Sequence, residues 1–500
     1  MAKGLNEEYI LNILENLSEN PNDLYTCMQL NHRWSNIAVT ILWRNHPWKH
    51  TFYSIKFWKP ISYTILLSFP KHVKELLVLN NISKSSIINR EPMYDYVSSC
   101  RYLSKNLIAK IAHGILYKKN YKTNYNFYNN QYYLIDELWK LFLNGSQKID
   151  HFILPCDQSL NQFYEKGEFN SKFQTITRLE CSTRISPDIY DQLSKVSKNI
   201  SELIIYIYFN YPNYDNQGLA TLISLQKNLR RIRFISYDYE FNNKECPNIS
   251  SSLQHLTKSL ISLEFKEEDI SYISLKHVNP FLTNLRYLSI DLGKENIFIN
   301  NGLDSLNSMK LPSLEILEIK LSEINSLDPF ISLLQKTKYT IKKIQIETKE
   351  LNKKNIDLVS DYINTITAYC PNIESLNLWV NSNVLNDIEI LFSSCMNLKY
   401  LKLETIGGGG DDEILEADPF LKLIPSKVLR DLKKIDLIGR WNFNNEELED
   451  FLIRSEHHEN FGLGIEFHCV KGDKGRFEEI CGKYKEKGIL KRCNFEIINA

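Results

Sequence analysis

The sequence has no CxxC pair, no apolar run approaching the roughly 18 residues of a membrane span, and no surplus of either charge. Lysine plus arginine and aspartate plus glutamate stand at 60 each, so no overall field holds the chain to a polyanion. Nucleic acid and anionic membranes are therefore not expected partners. The ten cysteines, Cys27, Cys100, Cys156, Cys181, Cys246, Cys370, Cys395, Cys469, Cys481 and Cys493, form no disulfide framework and read as reduced, mostly buried small apolar residues. In the opening MAKGLNEEYILN, Glu7, Glu8 and Asn12 interrupt the apolar stretch a secretory signal needs, so cytoplasm or nucleus is the expected location.

Catalytic signatures are missing as well. There is no G-x-x-x-x-G-K-S/T loop, no dinucleotide fingerprint, no H-E-x-x-H and no G-x-S-x-G. GGGGDDE, Gly407 to Glu413, has the glycines of a phosphate loop but lacks its lysine, and its acids repel phosphate; it reads as a flexible loop. His457, His458, His468, Cys469, Cys481 and Cys493 gather near one end, but the cysteine gaps do not match common zinc ligand pairs. No enzyme activity, cofactor or metal is expected.

What the chain does have is a real core and a repeat. Apolar residues make up 43% and charged residues 24%, and 58.7 kDa exceeds what one compact core usually holds. From residue 149 one pattern recurs: an aliphatic residue, two variable residues, a second aliphatic, one variable residue and a third apolar one. It reads IDHFIL at 149, ITRLEC at 176, ISELII at 200, LRRIRF at 229, LISLEF at 260 and LRYLSI at 285. LEILEI at 314, IKKIQI at 341, IESLNL at 373, LKYLKL at 398 and LKKIDL at 432 complete eleven units at intervals of 24 to 34 residues. A period near 28 falls within the roughly 20–29 residues of leucine-rich repeats.

Alternation at the last two apolar positions suits a strand covered on one face, and the intervening residues carry helical spacing. In SPDIYDQLSKVSKNI, Ile189, Leu193 and Val196 share a face behind the cap Ser186 and Pro187. Each unit is then one strand plus one helix, and stacking buries what a single unit leaves open. The expected fold class is α/β, a leucine-rich-repeat solenoid bent into a horseshoe over residues 149–500. An ordinary βα sheet also alternates strands and helices, but the near-equal units and the lack of continuous Val and Ile runs speak against it.

Ahead of the repeats, Leu5, Tyr9, Ile10, Ile13, Leu14 and Leu17 stripe one helix with Asn6 as its cap. Pro21 and Asn22 open a second helix through Leu24, Cys27 and Met28, and Trp34, Ile37, Ala38, Ile41 and Leu42 stripe a third. Residues 1–48 are expected to form this module. Residues 49–148 read as a linking helical region, with HVKELLVLNN, SKNLIAKIAHGILYKK and YLIDELWKLFLNG helical and the Asn/Tyr tract 120–133 an exposed insertion.

LNEEYILNILENL, DLYTCMQLNHRW and ILWR occur in the order and at the distances of an F-box, and residues 5 to 44 resemble that family, with Asn6 replacing its early proline. The resemblance implies docking to a Skp-type adaptor and through it to a cullin, so that the chain would be a substrate-recognition subunit of an SCF-type E3 ubiquitin ligase. Leu5, Ile10, Ile13, Leu17, Leu24, Cys27, Leu30 and Trp34 would divide between holding the helices together and filling the adaptor's groove. An aromatic side chain buries roughly 150–250 Å², so each tryptophan, Trp34 or Trp43, contributes about 3 kcal/mol or more wherever it is covered. That cover is either the adaptor or the chain's own residues 49–148.

The strand positions flanking the buried ones are the expected surface for an unidentified protein substrate: Tyr206, Arg231, Arg233, Tyr287, Asp291, Trp379, Tyr400, Lys402, Lys434 and Asp436. The alternative function is a repeat scaffold whose first helices merely cap the solenoid, with no ubiquitin role.

Overall fold

Apolar residues spaced by three and then two put the last two on one face of a strand and bring the first in from the preceding turn. The computed structural model describes residues 6–45, 48, 54–80, 82–116, 125–156, 171–236, 244–256, 258–266, 273, 282–292, 303–324, 326–337, 339–351, 356–406, 414–425, 428, 431–442, 444–455, 463–469 and 474–497. Each of the eleven patterned segments in it contains a strand. The chain forms two compact units, residues 1–206 with 225–229, and residues 207–224 with 230–500.

The first unit begins with helices α1 (Glu7–Asn16), α2 (Pro21–Met28) and α3 (His32–Asn45). Asn20, rather than Asn22, caps α2: its side-chain oxygen accepts the Asn22 N–H at 3.1 Å, and Pro21 takes the first turn. Asn31 does the same for α3, accepting from the N–H groups of Arg33 and Trp34. Ile10, Leu14, Leu24, Ala38 and Ile41 form the core between the three helices, with Leu17, Cys27, Met28, Trp34, Ile37 and Leu42 packed around it. Arg44 on α3 closes the group with a 2.6 Å ion pair to Glu15 on α1.

Four more helices follow, α4 (Ile55–Leu67), α5 (Lys71–Leu79), α6 (Lys105–Leu116) and α7 (Tyr125–Gly145). The three segments expected as helices are α5, α6 and most of α7. Residues 125–133 of the Asn/Tyr tract open α7, with Tyr132 73% exposed; residues 120–124 lie outside the described residues. Its downstream turns bury Leu134, Leu138, Trp139 and Phe142, which anchors the helix and lets it propagate back into the tract. Trp43 packs on Tyr96, ring centroids 4.2 Å apart and planes tilted by 42°, and the buried Trp48 meets Phe142 of α7 edge-on. Four parallel strands complete the unit in chain order, β1 (Tyr102–Leu103), β2 (His151–Ile153), β3 (Arg178–Ser182) and β4 (Glu202–Ile207). Between the last two lies α8 (Pro187–Val196), whose buried face centres on Tyr190 and Leu193 rather than on Ile189 and Val196. The Tyr190 hydroxyl draws the face round by donating to the Ser182 carbonyl at 2.7 Å.

In the second unit helices α9 (Gln217–Ser224) and α10 (Pro247–Ser252) flank the first strand, β5 (Arg231–Ser236). The ladder continues through β6 (Ser262–Lys266), β7 (Tyr287–Asp291), β8 (Ile316–Ile324), β9 (Lys343–Leu351), β10 (Ser375–Val380) and β11 (Tyr400–Thr405). A short β12 (Leu415–Glu416) pairs aside with β14 (Trp441–Asn442), while β13 (Lys434–Ile438), β15 (Leu463–Cys469) and β16 (Leu490–Ile497) extend the main ladder. All its strands are parallel and in chain order. Helices α11 (Asp328–Gln335), α12 (Ile356–Tyr369), α13 (Leu385–Ser394), α14 (Ala417–Leu423), α15 (Asn445–Ser455) and α16 (Lys474–Glu486) return the chain between strands.

The repeat's apolar positions stack into rows. Leu263, Leu288, Leu317 and Ile344 are register neighbours, and so are Phe265, Ile290, Ile319 and Ile346; none is more than 2% exposed. Burying each such side chain contributes roughly 1.5–3 kcal/mol, but only when the next repeat covers it. The protein is thus a mixed α/β fold of the strand-and-helix repeat class. One expectation fails: Cys481 is disulfide-bonded, while the other cysteines with described side chains are free thiols. Among the described residues, no helix is long and apolar enough to cross a membrane.

Candidate functional site

Two surfaces carry side chains the core does not use. The first is the outside of the three-helix module. Because Ile10, Leu14, Leu24, Ala38 and Ile41 meet one another, the neighbouring helical positions point away from the core. Tyr9 and Ile13, one turn apart on α1, are exposed, as are Tyr25 on α2 and Leu30 just after it. Of the eight residues named from the sequence, Ile10 and Leu24 are buried in the module's core. Leu17, Cys27 and Trp34 are partly buried against it, Ile13 and Leu30 are exposed, and Leu5 lies outside the described residues. Tyr9 was read into the apolar stripe of α1 and Tyr25 was not named; their helical positions beside Ile10 and Leu24 were the available signal.

The second surface is the sheet face opposite the helices. Strand alternation turns the residues before and between the paired apolar positions outward, and parallel register sets the outward residues of successive repeats side by side. In the first unit this makes a polar network on Glu180. His151 Nε2 lies 2.8 Å from its Oε1, the Tyr206 hydroxyl donates to its Oε2 at 3.2 Å, and Arg178 spans Glu180 and Glu202. Burial pushes the Glu180 carboxyl up, but the hydrogen bond and charge of His151, the Arg178 guanidinium and the Tyr206 hydroxyl outweigh it and hold the group below its ordinary value.

In the second unit the same columns carry Arg233 paired with Glu264 at 2.7 Å, and Tyr287 donating to Glu318 at 2.6 Å, which Lys343 reaches from the other side at 2.5 Å. Burial and the Glu318 hydrogen bond push the Tyr287 phenol up to about 12. Lys402 pairs with Glu404 at 3.1 Å, and Lys434 bridges Asp436 and Glu466 at 2.8 and 2.9 Å. Burial raises the Asp436 carboxyl above its ordinary value even with Lys434 beside it.

Among the described residues of the second unit, the ladder opens partway along β9. β9 and β10 pair only at Lys343 with Ser375 and Ile344 with Leu376, whereas β8 and β9 stay paired to their ends. Beyond the break the buried Asn377 substitutes for a strand: the Ile346 N–H donates to its Oδ1 at 2.7 Å, and its amide nitrogen donates to the Ile346 carbonyl. A recess of about 390 Å³ lies over this split, lined among others by Lys343, Gln345, Glu347, Asn377, Tyr400 and Asp436.

Tyr400, Lys402, Lys434 and Asp436 therefore come together in one recess. Arg231, Arg233, Tyr287 and Asp291 stand on strands β5 and β7 of the same unit, and Tyr206 belongs to the first unit. Trp379 does not belong to the exposed row. It is 3% exposed, its ring 6.1 Å from that of the buried Tyr362 on α12, because an indole gains more from the core than from solvent. Glu318, Lys343, Gln345, Glu347, Asn377 and Glu466 were missed, although aligning the repeats places opposite charges in neighbouring columns.

Among the described residues, no group of three or more His, Cys, Asp or Glu is placed to hold a metal ion. His457, His458 and the loop Gly407 to Glu413 lie outside the described residues, as do the side chains of His468, Cys469 and Cys493. What the described residues of each unit offer is a face of paired charges and aromatic rings, suited to binding.

No family model and no curated protein matches this chain. Among solved structures, the crystal structure of the Rad7 and Elc1 complex in yeast is similar at 14% identity over 73% of this chain and 88% of that one, with a TM-score of 0.36. A score that low does not equate two folds. Class membership rests on the repeats themselves: parallel strands in chain order, returned by helices, with the apolar rows stacked between them.

Proposed function

We propose that the protein is a non-catalytic substrate-recognition subunit of an SCF-type E3 ubiquitin ligase, acting in the cytoplasm, the nucleus or both. The three-helix module docks on a Skp-type adaptor and through it a cullin, and the leucine-rich repeats hold a protein substrate near the ubiquitin-charged subunit. Reaction then follows from proximity. The observation that supports this reading is the module's self-contained core, which leaves Tyr9, Ile13, Tyr25 and Leu30 outside it where a partner can cover them. It joins the F-box resemblance of the same residues.

A second reading, a repeat scaffold with a helical cap and no ubiquitin role, is favoured by the far end of α3. There Trp43 packs on Tyr96, and the Arg44 carbonyl accepts from Arg101 N–H at 3.3 Å, tying the module to the helical layer. Size-exclusion chromatography of the full chain mixed with a purified Skp adaptor separates the two. Co-elution that is lost in the Ile13→Asp/Leu30→Asp variant supports the receptor; separate elution of the folded wild-type chain leaves the scaffold.

A further inference from the structure

The edge where the chain enters the strands of the second unit is basic. One residue ahead of the first outward position of each strand, backbone hydrogen bonds tie successive repeats into a column. In it Arg230, Arg286, Lys342, Lys399 and Lys433 are interleaved with Ile261, Glu315 and Glu374, so five cations stand against two carboxylates. The adjoining outward column adds Arg231, Lys343 and Lys434 and no acid. Among the described residues, the turns leading in add Lys258, Lys310 and Lys336 against Asp431. Further across the sheet the sign reverses, with Glu264, Glu318, Asp436 and Glu466 against Arg233 and Lys402. The repeat itself does not require the cations: the matching column of the first unit, Arg101, Asp150, Thr177 and Ser201, is neutral.

This edge is open to solvent. The side chains of Arg286 and Lys342 are 63% and 52% exposed, and Arg230 and Lys433 are exposed as well. Arg286 and Lys342 share Glu315, and Lys399 pairs with Glu374. Ion pairs this wet contribute little and are screened by salt, so a ligand carrying several carboxylates competes with them.

Spacing selects the ligand. Neighbouring strands lie roughly 4.8 Å apart, so Arg230, Arg286, Lys342 and Lys399, on every second strand, follow one another at about 9.6 Å. An extended peptide advances about 3.3 Å per residue, so about three residues match one interval and about ten match the whole column. A nucleic-acid strand carries a phosphate at about every 3.4 Å, which would set phosphates against Glu315 and Glu374 too.

We propose that this edge binds an extended acidic peptide segment with Asp or Glu at about every third residue, its carboxylates meeting Arg230, Arg286, Lys342 and Lys399. Describing the owner of that segment as the ligase substrate rests on the function proposed above; the binding itself does not.

The test uses the full chain and a rhodamine-capped peptide of about twelve residues, with glutamate at every third position of a glycine–serine background, read by fluorescence anisotropy. A glutamine version and an oligothymidylate of the same length are the comparison. The glutamate peptide is expected to bind about tenfold or more tighter than either, and to weaken about tenfold between about 50 and about 300 mM salt. Arg286→Glu/Lys342→Glu is expected to weaken it about tenfold or more. Lys266→Glu/Lys320→Glu makes the same change in net charge about 16 Å further along the strands, beyond the screening length of about 8–10 Å, and is expected to leave the affinity within about twofold. Arg286→Gln/Lys342→Gln repeats the measurement if the charge-reversed pair does not fold. No binding of the glutamate peptide, equal binding of the glutamine one, tighter binding of the oligothymidylate, or equal losses in the two charge-reversed variants overturns the proposal. Adaptor co-elution is measured on the same preparations. Peptide discrimination without adaptor binding keeps the basic edge and removes the ligase role, and adaptor binding without discrimination does the reverse.

Discussion

Replacing Asn377 by leucine tests how the sheet is held where its ladder opens. Leucine has the same branching and number of side-chain heavy atoms and suits the apolar surroundings of the 6%-exposed position, while both hydrogen bonds to Ile346 are lost. The Ile346 N–H and C=O then have no partner in a buried setting, each costing about 1–3 kcal/mol. Together they predict a loss of roughly 2–6 kcal/mol, compared with well under 1 kcal/mol for a typical exposed substitution. Urea unfolding followed by circular dichroism reads the total, with the midpoint falling and the slope held. Hydrogen exchange on peptides spanning 343–351 reads the location, since the Ile346 amide should lose protection first. An Asn377→Leu variant within about 0.5 kcal/mol of wild type, with unchanged exchange at Ile346, would refute the claim that this amide bridges the split.

Glu180 makes the first unit acid-sensitive. Its carboxyl is held below the ordinary value, so the stabilisation is fully present above that value, near pH 4.5, and is lost as pH falls through the lower folded value. Thermal melts from neutral to acid pH should therefore drop more steeply below pH 4.5 in wild type than in Glu180→Gln, and parallel curves would contradict the network. Leu14→Ala removes a fully buried side chain from the module's small core and should cost about 2–5 kcal/mol. Its effect should appear as accelerated hydrogen exchange in residues 7–45 with the second unit unchanged; uniform acceleration would mean the module has no core of its own.

The repeat was legible because its three apolar positions are the ones the fold buries. Leu285, Leu288 and Ile290 are as hidden as their spacing requires, and so are their counterparts in the neighbouring repeats. Strand β1 escaped because two residues, Tyr102 and Leu103, carry no period, and β15 because Gly464 occupies one of its inward or outward turns without a side chain to mark it. The N-terminal stripe identified three helices but not their caps with full accuracy, since Asn20 and Asn22 are equally good candidates until the backbone chooses. The exposed side of the module was misjudged for a related reason: stripe reading finds what a helix buries, and it took in Tyr9, which is exposed, while passing over the exposed Tyr25. The recess was beyond reach altogether. Asn377 sits in the column that elsewhere holds Glu264, Glu318 and Lys402, and nothing local distinguishes an amide that replaces a strand from one that faces water.

The measurement closest to the central claim is the affinity of the full chain for a purified Skp adaptor, by isothermal titration calorimetry, beside Ile13→Asp/Leu30→Asp. Ile13 is 42% and Leu30 60% exposed, so covering them contributes on the order of 1–2 kcal/mol each, and a buried aspartate adds a desolvation cost. Micromolar or tighter binding with a negative heat-capacity change, weakened about a hundredfold or more in the variant, is the expected result. No heat and no complex with a folded wild-type chain, or equal affinity of wild type and variant, would contradict it.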